Sequence, residues 1–314
     1  MNSSAAVNTH MGSKEWGMLI LLSILWGGSF FTVGIAVQEL PTFTIVNLRV
    51  AIAAMTLFVI LKLMGNSMPM DLRHWIAFFG MGLLNNAIPF SLIVWGQAHI
   101  ASGLASILNA ATPIFTVVVA HFLTADEKMS PNKMLGVFIG FTGVAMMIGM
   151  DALGDLGTAV WAQLAIVGAT LSYAFSGVWG RRFKRMGTAP IVTATGQLTA
   201  SSLILLPITF YLDQPLSLAM PGMETRLAIV FLAVAATSLA YLLFFKILAA
   251  AGATNVMLVT LLVPVSAVIL GTAFLGEVLA LKHFLGMAMI ALGLAAIDGR
   301  PWRMITGASK RAKV

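Results

Sequence analysis

The side chains able to do chemistry in this sequence are amides, hydroxyls and aromatic rings set inside apolar runs. One run holds Asn85, Asn86, Pro89, Phe90 and Gln97. Asn86, Pro89, Phe90, Ile93 and Gln97 recur at helical spacing on one face. Such a strip either lines a cavity for a polar solute or ties neighbouring helices by hydrogen bonds worth ~0.6 kcal/mol each. Pro89 lacks an N–H and so frees a backbone carbonyl nearby. Asn109, Thr112 and Pro113 form a second group, and Thr260 with Pro264 a third; Asn109 and Thr260 each precede a proline by four residues. Prolines within an apolar helix either break its hydrogen-bond ladder and expose carbonyls to a ligand or simply kink it. Trp26, Ser29 and Phe30 share a further face, as do Tyr173 with Ser176, and Thr237 and Ser238 with Tyr241. Rings interleaved with hydroxyls and amides suit a small amphipathic solute, and aromatic faces can hold an ammonium. For any single ring, ordinary packing is the alternative.

Other chemistries lack their residues. Cysteine is absent, which excludes thiolate catalysis, disulfides and cysteine metal sites. No Asp or Glu falls inside an apolar run; Glu127, Glu277 and Asp298 lie at run ends. A buried carboxylate proton relay is therefore not expected, and His99 and His121 sit too near run ends to replace one. Metal-ligand clusters, Ser/His/Asp sets and glycine-rich phosphate loops are missing too, so no metal, cofactor, ATP drive or enzymatic activity is expected. Arg49 is the one cation inside a run. It lies about two turns from the run's end, so its side chain is expected to snorkel to the headgroups in a structural role.

The elements that position these groups follow from composition. Hydrophobic residues make up 59% and charged residues 9%, with mean hydropathy +0.96. A soluble domain carries about 25% charged residues, so most of this surface faces lipid. At about 20 residues per span, 314 residues accommodate ten helices. Uncharged runs place them near 17–36, 42–63, 134–150, 158–180, 191–212, 226–245, 253–275 and 283–297. Two more fill the uncharged stretch 75–125, turning between Gln97 and Gly103. Trp75, Trp161 and Trp302 read as interfacial anchors, and Gly136 with Gly140 as a close-packing pair. Residues 1–16 read as a cytoplasmic segment ahead of a retained first helix rather than as a cleaved leader.

Loop charge sets the orientation. Of 18 Lys and Arg, Arg226 and Lys282 fall on one side and Arg49 within a span; the others share the side of the N-terminus. The positive-inside rule then puts both termini in the cytoplasm. The formal charge of +7 thereby reflects topology, and no nucleic-acid partner is expected.

The two halves echo each other. Pro113, Glu127, Gly136 and Gly143 are matched by Pro264, Glu277, Gly286 and Gly293, with Glu-to-Gly spacings of 9 and then 7 in both. Pro41 matches Pro190, and Trp26-Gly27 matches Tyr173-Ala174. Five helices per half make equivalent helices cross in opposite directions, an inverted repeat typical of carriers with a midplane site. The boundaries are 17–150 and 151–299, followed by a basic cytoplasmic tail, 300–314.

These segments, with Leu25-Trp26-Gly27-Gly28-Ser29-Phe30 and Asn47-Leu48-Arg49, resemble the EamA-type branch of the drug/metabolite transporter superfamily, from Gly17 to Ile297. Asp126 departs from the small residue usual before the glutamate. The resemblance implies an all-α membrane protein of ten helices in two inverted five-helix repeats. It further implies export of small metabolites, often amino acids, across a bacterial inner membrane. The expected function is facilitative or secondary-active export of neutral or aromatic amino acids by alternating access. Its partners are a small-molecule substrate and the lipid bilayer, with a monomer sufficient. A nucleotide-sugar or sugar-phosphate antiporter is the alternative within the superfamily, and a non-transporting scaffold or receptor the alternative outside it.

Overall fold

The computed structural model describes residues 12–148, 157–256 and 258–298. The tail from 300, the turn at Asp151–Asp155 and Trp302 lie outside the described residues. The helices are α1 (Ser13–Ala36), α2 (Thr42–Leu63), α3 (Leu72–Gln97), α4 (Ser102–Leu123) and α5 (Pro131–Ile148). They continue as α6 (Thr158–Arg185), α7 (Pro190–Asp213), α8 (Met223–Gly252), α9 (Val259–Phe274) and α10 (Leu281–Asp298). Among the described residues there is no strand, and 8 helices are long and apolar enough to cross a membrane. α9 and α10 are apolar but shorter; the 16 residues of α9 reach about 24 Å at 1.5 Å per residue.

Sequence and structure part company at the helix ends. α6 runs on past Gly180 to Arg185 because Arg182, Lys184 and Arg185 occupy its last turn, where cations meet the negative end of the helix dipole. α8 extends to Gly252, whose φ of 81° is in the left-handed region that only glycine adopts freely. The next regular helix, α9, starts at Val259 instead of near 253. Three helices also contain π turns: Leu83–Ala87 in α3, Thr209–Asp213 closing α7, and Phe231–Leu239 in α8.

The bundle is apolar outside and polar within. Phe138, Phe274 and Val278 are more than 70% exposed, whereas Arg49, Asn86, Gln97, Gln163 and Gln197 are all buried. Lipid is the solvent such an arrangement satisfies. Packing partners come in matched pairs: α1 lies on α9 as α6 lies on α4, and α2 lies on α7. α5 and α10 pack antiparallel with backbones nearly touching. A Cβ on Gly136 would fall 2.5 Å from the Gly293 carbonyl, and one on Gly143 would fall 2.7 Å from the Gly286 carbonyl.

Hydrogen bonds tie the loops at each end. At one end Asp213 accepts from the Thr44 amide at 2.6 Å, Glu39 from the Gly222 amide at 2.6 Å, and Glu277 from the amides of Ser102 and Gly103 at 2.6 and 3.0 Å. At the other, Arg181 donates to Asp126 and Glu127, and the Trp179 indole donates to the Ala77 carbonyl at 3.0 Å.

Candidate substrate site

Arg49 does not snorkel. It is buried at 7% exposure, on the inward stripe of α2 with Val46, Val50 and Ala53, while Leu48 and Met55 face out. Its Nε donates to Thr237 Oγ1 on α8 at 2.9 Å, and its guanidinium carbon stands 3.7 Å from the centre of the Phe90 ring on α3. Tyr173 and Tyr241 lie within electrostatic reach of it. Helix orientation explains the difference: α2 turns Arg49 to its buried side together with Thr44 and Asn47, and α8 offers a hydroxyl that Arg49 reaches.

The hydroxyl is aimed by the π segment of α8. There Thr237 donates to the Leu232 carbonyl five residues back, at 2.7 Å, leaving its lone pair for Arg49. Ser238 likewise donates five residues back, to Ala233 at 3.0 Å, and across to Ala53 on α2 at 3.2 Å. One turn further on, the Tyr241 hydroxyl accepts from Asn85 Nδ2 at 3.0 Å and Asn86 Nδ2 at 3.2 Å. Ser176 on α6 donates to Asn85 Oδ1 at 3.0 Å, and Gln197 on α7 lies beside Tyr241. Five helices thus meet in one network. Tyr173 packs against both hydrophobic cores of the bundle, which places the network at their junction.

Of the residues singled out from sequence, the structure gathers Asn85, Asn86, Phe90, Tyr173, Ser176, Thr237 and Tyr241 here. Others make their contacts elsewhere. Gln97 donates to the Phe30 carbonyl at 2.8 Å, tying α3 to α1, and Ser29 donates to Trp26 within its own helix. Trp26 packs on Phe244, with ring centroids 5.8 Å apart.

The prolines act differently from one another. Ahead of Pro89 the π turn of α3 lifts carbonyls out of the ladder, and neighbouring hydroxyls take them. Ser172 bonds Leu84 O at 2.7 Å and Ser201 bonds Gly82 O at 2.9 Å. Pro113 follows a turn at Ala110–Ala111 within α4, and the Asn109 carbonyl it would have left bare accepts from Thr112 at 2.7 Å. Pro264 lies inside α9, which runs on through it with one ladder bond missing. It borders an apolar groove of about 150 Å³ with Ala110, Leu261 and Met287, away from the Arg49 network. Thr260, one turn earlier, is half-buried. Pro113 and Pro264 thus sit in different backbone settings, one just after a turn and one inside a continuous helix.

The sequence reading missed Arg49 as an interior group, and with it Gln197 on α7. It also missed Glu277 as a cap on α4. Asp126, the departure from the usual small residue, is one half of a bidentate pair with Arg181, at 2.8 and 2.7 Å.

Comparison with known proteins fits this architecture. The inner membrane transporter YedA of Escherichia coli (strain K12), named as uncharacterized, is 26% identical over 90% of this chain and 90% of its own. The similarly uncharacterized transporter YoaV of Bacillus subtilis (strain 168) is 24% identical over 88% of this chain and 94% of its own. A probable amino-acid metabolite efflux pump of E. coli (strain K12) is 24% identical over 93% and 98%. One solved structure shares the fold with a TM-score of 0.64 at 18% identity, covering 89% of this chain and 95% of that one. The description of the EamA-like transporter family matches residues 15–149 and again residues 160–297. With nearly its whole length matched in two successive segments, and with transporters as full-length relatives, the chain belongs to the EamA-like transporter family of the drug/metabolite transporter superfamily and is a multi-pass membrane transporter, not an enzyme.

Proposed function

We propose that the protein exports small amphipathic metabolites, neutral or aromatic amino acids foremost, through alternating access of two inverted five-helix repeats, 17–150 and 151–299. The observation that carries this reading is the Arg49 network. It joins α2 and α3 of the first matched segment to α6, α7 and α8 of the second, well inside the bundle. A solute bound there contacts both moving bodies, as alternating access requires.

Several features support the ten-crossing, inverted arrangement. Gly136 meets Gly293 while Gly143 meets Gly286, so positions equivalent by spacing meet antiparallel. Every loop tie joins segments that ten alternating crossings put on one side. With the loop charges, this favours both termini in the cytoplasm and residence in the bacterial inner membrane, as the name of the E. coli relative YedA suggests for that protein. The amino-acid reading draws on the relative named as an efflux pump for such metabolites. The nucleotide-sugar or sugar-phosphate alternative needs several cations for its phosphates. Arg49 stands alone in the network, and Lys246 is exposed.

The test is efflux from proteoliposomes loaded with single amino acids, with and without a pH gradient. We expect efflux down the solute's own gradient, lost in Tyr241→Ala. Strict dependence on the pH gradient would overturn the carrier without a proton relay, and absence of movement for every amino acid would overturn the substrate class.

A further inference from the structure

We infer that Arg49 is the carboxylate-recognition residue of the site, and that the buried amide oxygens of Asn86 and Gln197 take the ammonium of the same solute. The substrate class is then an α-amino monocarboxylate, read at both charged ends. This rests on the transport reading above and specifies what that site selects.

The first observation is a cation without a counter-charge. Among the described residues, the ion pairs are Asp71 with His74 and Arg181 with Asp126 and Glu127; none reaches Arg49. Proteins hold intramembrane charges against a partner or an aqueous path. Here the guanidinium meets one neutral hydroxyl through Nε and one aromatic face. Among the described residues its Nη1 and Nη2 make no recorded hydrogen bond. That outer edge is the planar fork that matches the two oxygens of a carboxylate. Phe90 and Thr237 fix the plane of the fork in advance, so little freedom is lost when an anion docks.

The second observation is independent of the first. Asn86 is fully buried and Gln197 is 2% exposed, yet Asn86 Oδ1 and Gln197 Oε1 have no hydrogen-bond partner. Both amides adjoin Tyr241: Asn86 Nδ2 donates to its hydroxyl, and Gln197 lies beside it. Two unsatisfied acceptors beside Tyr241, a side chain within electrostatic reach of Arg49, and an unsatisfied fork on Arg49 present the complement of a zwitterion. An ammonium has N–H groups for the oxygens and is repelled from the guanidinium, which orients the solute. A phosphate ester or dicarboxylate would bring a second negative charge toward those same oxygens, which repel it.

The experiment uses the purified full-length chain in detergent and reads the shift in unfolding temperature caused by matched probes. Each set holds one tail and varies its charged ends: L-phenylalanine, L-phenylalaninamide, 3-phenylpropanoate and phenethylamine, with the corresponding leucine and methionine sets. The expected order is amino acid, then deaminated acid, with amide and amine at least about tenfold weaker in apparent affinity. Arg49→Lys keeps the charge and loses the fork, and should weaken the acids by about tenfold. Asn86→Leu should weaken the amino acid down to the level of its deaminated acid while leaving that acid unchanged, which a merely structural role would not do. If amides protect the wild-type protein as well as the acids, Arg49 does not read a carboxylate, although the transport reading survives. If no member of any set protects and none leaves liposomes, the transport reading falls and this inference with it.

Discussion

Glu127 and Glu277 occupy the same step of the same spacing pattern, one in each matched segment, yet they do different work. Glu277 is half-buried and receives the first two amides of α4, Ser102 and Gly103, at 2.6 and 3.0 Å. It thereby caps that helix from a loop 175 residues away and satisfies donors that an apolar environment cannot. Glu127 is exposed and shares Arg181 with Asp126. The same contrast separates Pro113, which follows a turn within α4, from Pro264, which lies inside an unbroken α9. A duplicated pattern therefore fixes where elements lie more firmly than what each residue bonds. One end of the bundle is clasped by carboxylate-to-backbone bonds, the other by solvated ion pairs.

The glycine seam is where the two segments should remain alike. Gly143→Leu and Gly286→Leu each drive a side chain into the partner backbone, and each should cost about 3 kcal/mol. Unfolding in a denaturing detergent series measures this, and a large difference between the two would show that the seam has diverged as the glutamates have. A smaller but more unequal effect is expected at the glutamates. Glu277→Ala leaves two amides unpaired and should cost about 2 kcal/mol, whereas Glu127→Ala should leave the melting temperature within error. Equal losses would erase the contrast.

The smallest effect concerns Asp126. Hydrogen bonding from Arg181 lowers its carboxyl from 3.8 to about 2. A depressed carboxyl contributes stability above its ordinary range, and that contribution fades as pH falls through about 2. The difference in melting temperature between wild type and Asp126→Asn should be small and constant above pH 4, vanish toward pH 2, and shrink with added salt. Persistence at pH 2 would mean that the tie does not depend on the carboxylate.

Much of the scaffold is legible in the sequence because lipid imposes one constraint, length of apolar run, that hydropathy measures directly. The turn inside the uncharged stretch 75–125 falls at 98–101, within the expected Gln97–Gly103. Tyr241, Asn85 and Ser176 stand out in the sequence as polar groups in apolar helices, and they do meet. Their joint geometry was less accessible. α2 carries apolar residues on both its buried and its exposed sides, so hydropathy does not tell whether Arg49 points to lipid or inward, and its partner Thr237 lies 188 residues on. The π turns leave no hydropathy signal at all. Nor does residue type separate Gln97, a strut between α3 and α1, from Gln197, a neighbour of Tyr241.

The nine residues of Phe231–Leu239 have a consequence for the chain's tolerance of change. A π turn stores one surplus residue relative to an α turn. Excising a single residue there would leave an intact rod, its backbone ladder healed, yet would swing one flank about its axis by roughly 100°. Thr237 and Tyr241 would then turn together away from Arg49 and from Asn85 and Asn86. The surplus residue sets the azimuth of the helix, so this stretch should accept exchanges of side chain outside Thr237 and Ser238 and no change of length.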